Sequence, residues 1–379
     1  MKSVPCLILC AAMLAPLALA ADVPKLDEVE VLLPPAGTRY VVGFHEMVDT
    51  SSGQYAGERI VDFDATLRFV TVESMSPATF EARARTDPNV RYVEVEQTYQ
   101  AFWTPNDPFW PTSDYQWGAK QIGAALAWDK TRGSTGVKLC IIDSGLYKSH
   151  EEFAGLARVA QGYDFVFEDT DPNDPNGHGT HVAGIASAQE GNSKGMAGIA
   201  KVTLVPVRVL DSAGSGTTTD VAQGFRYARD IGCHIASASL GGGASTTIQD
   251  AVVYAQNGGV LVIAAAGNDG CACVRYPAGY SGVLGVGATD KSNAKASFSN
   301  TGSHVDIAAP GVSIVSTYKT ISGCTTNCYV YLDGISMATP YVSGVAALVK
   351  SYNAGLTASQ ISSRLTGTAQ DLGAAGYDS

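Results

Sequence analysis

Charged side chains are scarce in this chain. Asp, Glu, Lys and Arg make up 16% of its 379 residues, too few for a disordered polyelectrolyte, which stays unfolded by carrying high charge on little apolar surface. Basic residues are the scarcer sign: 25 Lys and Arg stand against 36 Asp and Glu, a net charge of -11. That balance excludes nucleic acid as the main partner, because phosphate binding needs a basic patch. It suits an acidic soluble surface. Beyond the first twenty residues no apolar run is long enough to span a bilayer, so no membrane anchor is expected. There is no H-E-x-x-H, and neither C-A-C nor C-T-T-N-C has the spacing of a familiar four-ligand zinc set.

What is present is a chain long enough to bury a large core, with 41 glycines for tight turns. Residues 1–20 combine Lys2, an apolar centre and Ala18-Leu19-Ala20, which reads as a secretory signal, so the protein is expected outside the cell. Leu9 before Cys10 argues against lipidation. Six cysteines remain after the signal: Cys140, Cys233, Cys271, Cys273, Cys324 and Cys328. An exported chain permits disulfides, and six cysteines allow fifteen full pairings. Cys324 and Cys328 flank a short polar turn that a local bridge would suit, whereas Cys140 lies in an apolar strand and reads as a free buried thiol.

Residues 22–102 carry alternating stretches, R-Y-V-V-G-F and V-R-Y-V-E-V-E, that predict strands. Between them S-P-A-T-F-E-A-R-A-R predicts a short helix opened by a capping serine. Two hairpin-like strand pairs with helices would make a small α+β unit, either a substrate-binding module or an N-terminal domain. The Pro-rich W-T-P-N-D-P-F-W follows as a linker, and then V-K-L-C-I-I-D-S-G, an apolar strand ending in Asp143 and a tight turn. In an open α/β sheet, sites form at the carboxyl ends of strands.

Two later stretches complete a constellation. D-P-N-G-H-G-T-H-V-A-G places His178 and His181 at the opening of an apolar helix. Residues 334–340 read G-I-S-M-A-T-P, ahead of a run in which Val342, Val345, Ala346 and Val349 recur at helical spacing. Pro340 is expected in the first turn of that helix, which sets Ser336 at its N-terminus beside donors suited to an oxyanion. An acid ending one strand, a histidine opening the next helix and a serine opening a late helix form a Ser–His–Asp set.

In the order Asp143, His178, Ser336, the motifs I-I-D-S-G, H-G-T-H-V-A-G and G-I-S-M-A-T-P resemble those of the subtilisin family of serine peptidases. The resemblance covers about residues 103–375. It implies an α/β fold, a mostly parallel sheet with helices on both faces, preceded by a small α+β propeptide. It also implies a secreted endopeptidase acting on protein or peptide substrates through an acyl-enzyme. The implied division is a signal peptide at 1–20, a propeptide at 21–102 that doubles as intramolecular inhibitor, and a catalytic domain at 103–379. A monomer is expected.

Further stretches carry the same resemblance. V-P-V-R-V-L-D-S-A-G-S-G is similar to the edge that pairs with the substrate backbone, giving Gly214, Ser215 and Gly216. S-L-G-G, with Ser239, Leu240 and Gly241, is similar to the opposite substrate strand and one wall of the P1 pocket. A-A-A-G-N-D is similar to the stretch whose Asn donates to the oxyanion, here Asn268, with Ala266 and Gly267 beside the substrate. Calcium is implied at Asp107, Glu152 and Asn192, and more weakly at Asp306, as a structural ion.

Three departures stand out. Ile335 occupies the position where the family carries a threonine that assists the oxyanion hole, and is expected to weaken it. Tyr341 stands where the family carries His and reads as structural. D-L-G-A-A-G-Y-D-S stops before the Gly-rich strand and helix that usually close such domains, so the expectation is either a fragment of a longer chain or a domain without its closing element. Cleavage between Phe102 and Trp103 would put Phe102 at P1 and Tyr99 at P4, in keeping with large apolar preferences. Against this reading stand an esterase elbow at G-N-S-K-G, which follows a helix tail where a strand is needed, and a non-catalytic binding protein, which Ile335 alone would favour.

Overall fold

The computed structural model describes residues 37–46, 55, 57–98, 103–112 and 114–372. The signal segment, Tyr99, Phe102 and the last seven residues lie outside them. Two compact units divide the chain at residues 101 and 102.

The first unit is a four-stranded antiparallel sheet with one helix: β1 (Thr38–Phe44), β2 (Arg59–Asp64), β3 (Phe69–Ser74), α1 (Pro77–Ala84) and β4 (Val90–Val95), in the order β2-β3-β1-β4. Alternation decides its faces: Tyr40, Val42 and Phe44 of β1 and Val70 and Val72 of β3 point into one core with Phe80 of α1. The strands join into a single sheet around β1, not two hairpins. Ser76 precedes α1 but makes no side-chain capping bond; Pro77 opens the helix.

In the second unit, two short helices, α2 (Trp117–Gln121) and α3 (Ala124–Trp128), lead into β5 (Lys138–Asp143). There follow β6 (Tyr163–Asp164), α4 (His178–Ser187), β7 (Thr203–Arg208), α5 (Thr218–Asp230), β8 (Ile235–Ala238), α6 (Thr246–Asn257) and β9 (Leu261–Ala265). The chain continues through β10 (Leu284–Thr289), β11 (Ile307–Pro310), β12 (Ile314–Tyr318), β13 (Cys328–Leu332), α7 (Ile335–Tyr352) and α8 (Ala358–Thr368). Seven strands form one parallel sheet in the order β11-β10-β9-β8-β5-β7-β6, with helices on both faces, and β12 and β13 form a separate antiparallel ladder. Because both faces are covered, β8 and β9 are apolar and buried at every position but Ser237 in β8, whose hydroxyl meets that of Ser343 in α7 at 2.8 Å.

Strand order positions the site. From β5 the chain runs to β6 at the sheet edge and comes back to β7 between β6 and β5, then crosses to the other side of β5 and works outward through β8, β9, β10 and β11. A crevice opens where such an order reverses, at the carboxyl ends of the strands. Asp143 ends β5, Ser239 follows β8 by one residue and Ala266 follows β9 by one residue.

All six cysteines in the described residues are paired: Cys140 with Cys233, Cys271 with Cys273, and Cys324 with Cys328. The local bridge at Cys324 is as expected. Cys140 is not a free thiol. Parallel pairing of β5 with β8 brings it beside Cys233, two residues before β8. Cysteines tied in bridges also leave no thiolates for zinc.

Candidate active site

His178 is the first residue of α4. Its Nδ1 lies 2.7 Å from Oδ1 of Asp143, which is fully buried and also accepts the Ser144 N–H at 2.7 Å. Burial opposes a charged imidazole. The charge and hydrogen bond of Asp143, helped by the charge of Asp174, outweigh it and raise the His178 pKa above 6.5. Asp174 ties the start of the helix together. Its Oδ1 accepts from the Gly177 N–H at 2.8 Å and the Ser144 hydroxyl at 2.9 Å, and its Oδ2 from the Thr180 N–H at 2.9 Å and hydroxyl at 2.6 Å. These bonds satisfy donors that a helix start leaves open. The sequence reading passed over Asp174, although an acid three residues before a glycine turn and a helix is a capping signal.

His181 belongs to a different environment. Its Nε2 faces the carbonyls of Ile314 and Val330, each at 3.1 Å, and burial lowers its pKa to about 3. The two histidines therefore do not converge on a metal.

Ser336 is the second residue of α7, as its position before the apolar run required. Pro340 lies inside the helix, in the second turn and not the first. A proline there cannot donate to the carbonyl four residues earlier, and that carbonyl belongs to Ser336. The Ser239 hydroxyl takes up the vacancy, donating to the Ser336 carbonyl at 2.9 Å, while the Ser336 hydroxyl donates to the Ser239 carbonyl at 3.1 Å. The reciprocal pair fastens the end of β8 to the start of α7. Ser336 makes no hydrogen bond to His178 here; its hydroxyl points to Ser239.

On the far side of Ser336, Oδ1 of Asn268 accepts the Ile335 N–H at 2.9 Å. With the oxygen held, the amide nitrogen is the group left to donate, and it faces Gly334: a Cβ on Gly334 would sit 3.6 Å from it. Gly334 has φ of 148°, a conformation costly for any residue with a side chain. Ile335 is wholly buried in the main core and Thr339 donates to its carbonyl at 3.0 Å, so Ile335 offers no donor to the site from its side chain. Tyr341 is buried with its hydroxyl against Gly118 of α2, a packing role.

A cleft of about 610 Å³ runs past His178, walled on one side by Gly214, Ser215 and Gly216 and on the other by Ser239, Leu240 and Gly241. Asp211 builds the first wall, accepting the N–H groups of Ala213 at 2.8 Å and Ser215 at 3.0 Å. Ala266 and Gly267 do not line this cleft. The stem of Arg275 lies against both Gly241 and Gly267: a Cβ on Gly241 would lie 3.5 Å from Arg275 Cβ, and one on Gly267 would lie 2.6 Å from Arg275 Cγ. The Arg275 guanidinium is bound by Asp269 through bonds of 2.8 and 2.7 Å.

The proposed calcium ligands fall in two places. Asp107 and Glu152 are both fully buried. Asp107 accepts the Gly191 N–H at 2.7 Å, and Glu152 accepts from Asn192 Nδ2 at 2.8 Å, Met196 N–H at 3.0 Å and the Tyr329 hydroxyl at 2.8 Å. Burial, with the Asp107 charge added, outweighs those hydrogen bonds and moves the Glu152 carboxyl up to about 7. Neither acid has a Lys or Arg within ion-pair distance among the described residues. Two buried carboxyl groups that oppose each other's ionisation, amid oxygen donors, fit a hard divalent ion. Asn192 turns its nitrogen to Glu152 and its oxygen to the Lys194 N–H, so its amide must swing to serve as a ligand. No group of three His, Cys, Asp or Glu converges among the described residues, so carbonyls would have to complete the shell. Asp306 is elsewhere, accepting the Gly285 N–H at 2.8 Å.

The sequence model of the Subtilase family matches residues 134–379. The chain belongs to the subtilase family. It is 47% identical over 276 residues to thermitase of Thermoactinomyces vulgaris, covering 72% of this chain and 94% of that one. It is 46% identical over 267 residues to a thermophilic serine proteinase of Bacillus sp. (strain AK1), covering 70% of this subtilase and 64% of that relative's length. Among solved structures, a cold adapted subtilisin-like serine proteinase superposes with a TM-score of 0.59 at 38% identity, covering 69% of this subtilase and 95% of that chain. This subtilase is a serine endopeptidase that acts on proteins. No helix among its described residues is long and apolar enough to cross a membrane.

Proposed function

We propose that Ser336 is the nucleophile of this peptidase, His178 its general base and acid, Asp143 the group that orients the imidazole, and Asn268 an oxyanion donor. The observation that carries the reading is the 2.7 Å contact between His178 and Asp143, at a cleft whose wall residue Ser239 exchanges hydrogen bonds with Ser336. Asp143 holds the proton on Nδ1, which leaves Nε2 free to accept. Rotation about the Ser336 Cα–Cβ bond takes the hydroxyl off the Ser239 carbonyl and toward Nε2; such contacts are often loose without substrate. Attack on the scissile carbonyl then gives a tetrahedral oxyanion that Asn268 Nδ2 and the Ser336 N–H can stabilise. His178 passes its proton to the leaving amine, and water releases the acyl group by the same steps in reverse.

The substrate backbone would lie in the cleft between Gly214–Ser215–Gly216 and Ser239–Leu240–Gly241, as an added strand. Its P1 side chain, with a leaning to large apolar groups, would lie beside Ala266 and Gly267, near the Arg275–Asp269 pair. Residues 1–20 would direct export, and residues 21–102 would be a leader removed near Phe102 that then stays as inhibitor. Asp107, Glu152 and Asn192 would hold calcium, whose chemistry is that of a structural cross-link, and Asp306 a weaker ion.

Wild type and Ser336→Ala, expressed side by side, test the reading by intact mass and N-terminal sequence. Wild type is expected to lose its leader near Phe102 while the variant stays whole. Equal processing of both would refute Ser336 as the nucleophile.

A further inference from the structure

Asn300, in the loop between β10 and β11, is fully buried and its side chain is spent on one segment. Its Nδ2 lies 3.1 Å from the Ala266 carbonyl, 3.0 Å from the Cys273 carbonyl and 3.2 Å from Asp269 Oδ2, and its Oδ1 accepts the Asp269 N–H at 2.8 Å. Its own N–H donates to the Gly267 carbonyl at 3.0 Å. These bonds bracket Asn268: residues 266 and 267 before it and 269 after it are each held, whereas Asn268 itself is exposed and left to face Gly334 and Ile335. The fit is close, since a Cβ on Gly267 would lie 2.3 Å from Asn300 Nδ2. Gly267 has φ of 112°, so the turn that presents Asn268 is one that few residues adopt unaided.

We propose that Asn300 is a positioning residue for the oxyanion donor. It touches neither substrate nor the reacting atoms; it fixes the peptides on both sides of Asn268 so that Nδ2 meets the developing charge without reorganisation, which is where such donors get their strength. The inference rests on the assignment of Asn268 above.

A double-mutant cycle separates this from a packing role. kcat and KM for a peptide p-nitroanilide are measured for wild type, Asn300→Ala, Asn268→Ala and the pair, with the folded fraction of each read by circular dichroism. Asn300→Ala is expected to lower kcat about 10- to 100-fold with KM within about twofold, and to cost less than about threefold once Asn268 is already Ala. Asn300→Asp, which keeps the volume and the acceptor but removes the donor, is expected to follow the same pattern. An unchanged kcat in Asn300→Ala, or a loss of equal size in both backgrounds, overturns the proposal. If neither variant folds, Asn300 is a structural residue only and the proposal falls. A wild-type kcat in Asn268→Ala refutes the oxyanion assignment instead.

Discussion

Removing the Asn268 amide should cost rate and very little affinity. The perturbation is Asn268→Ala. On the proposed assignment its Nδ2 is one of two donors to the oxyanion, the other being the Ser336 N–H, so the substitution would halve the hole and leave the proposed Ser336–His178 pair in place. Loss of one such donor costs roughly 2.7–4 kcal/mol of transition-state stabilisation, or a fall in kcat of about 10²–10³ at 1.36 kcal/mol per tenfold. Because the charge appears only after attack, KM should stay within about twofold. The same change takes the acceptor from the Ile335 N–H, held at 2.9 Å, at a cost of about 1 kcal/mol in stability. For a domain this large, that is a fall in Tm of only about 2–4 °C. The assay is steady-state cleavage of a peptide p-nitroanilide, with thermal unfolding of the same preparations. A kcat within tenfold of wild type, or a loss expressed wholly in KM, would refute the reasoning.

Because Asp143 and Asp174 raise the His178 pKa against the pull of burial, the acid limb of kcat/KM should have its midpoint above 6.5, and Asp174→Asn should move it down; a pH–rate profile of both proteins checks this. The sign for stability is opposite. A raised histidine stabilises the fold fully below its unfolded value near 6.5 and loses that contribution as pH rises through the folded value, so this site gains activity where it loses stability. Replacing Cys140 and Cys233 together by Ser opens a bridge spanning 93 residues. Chain entropy sets that loss at roughly 4–5 kcal/mol, a fall in Tm of about 10–15 °C; differential scanning calorimetry on the Ser336→Ala background, which avoids self-digestion, would read it, and a fall under 3 °C contradicts it. Chelation should lower the Tm of the same background by roughly 5–10 °C, the equivalent of about 2.7 kcal/mol for an ion supplied at a hundred times its Kd. Asp107→Asn should abolish the increment that added calcium restores.

The linear sequence determined the elements and their local chemistry. An apolar run ending in Asp143 is a central strand wherever it sits, because both faces must be covered. The periodic run after residue 340 is a buried helix with Ser336 at its start, because 3.6-residue spacing leaves no other way to hide Val342, Val345 and Val349. Asp143, His178 and Ser336 were legible for that reason: each stands at an element boundary that short-range pattern fixes. Partnerships between distant segments were not legible. Cys140 meets Cys233 only because β8 lies parallel beside β5. Ser239 exchanges hydrogen bonds with Ser336 because Pro340, one turn deeper in the helix than its residue type suggested, leaves the Ser336 carbonyl without a donor. Asn300 follows Asn268 by 32 residues with no spacing to announce it, and reaches the loop of Asn268 because the segment after β10 folds back over the end of β9. Short-range sterics and periodicity act within a few residues and can be read in order. Which strand ends converge depends on where the sheet reverses its winding, and that is decided by the packing of the whole core.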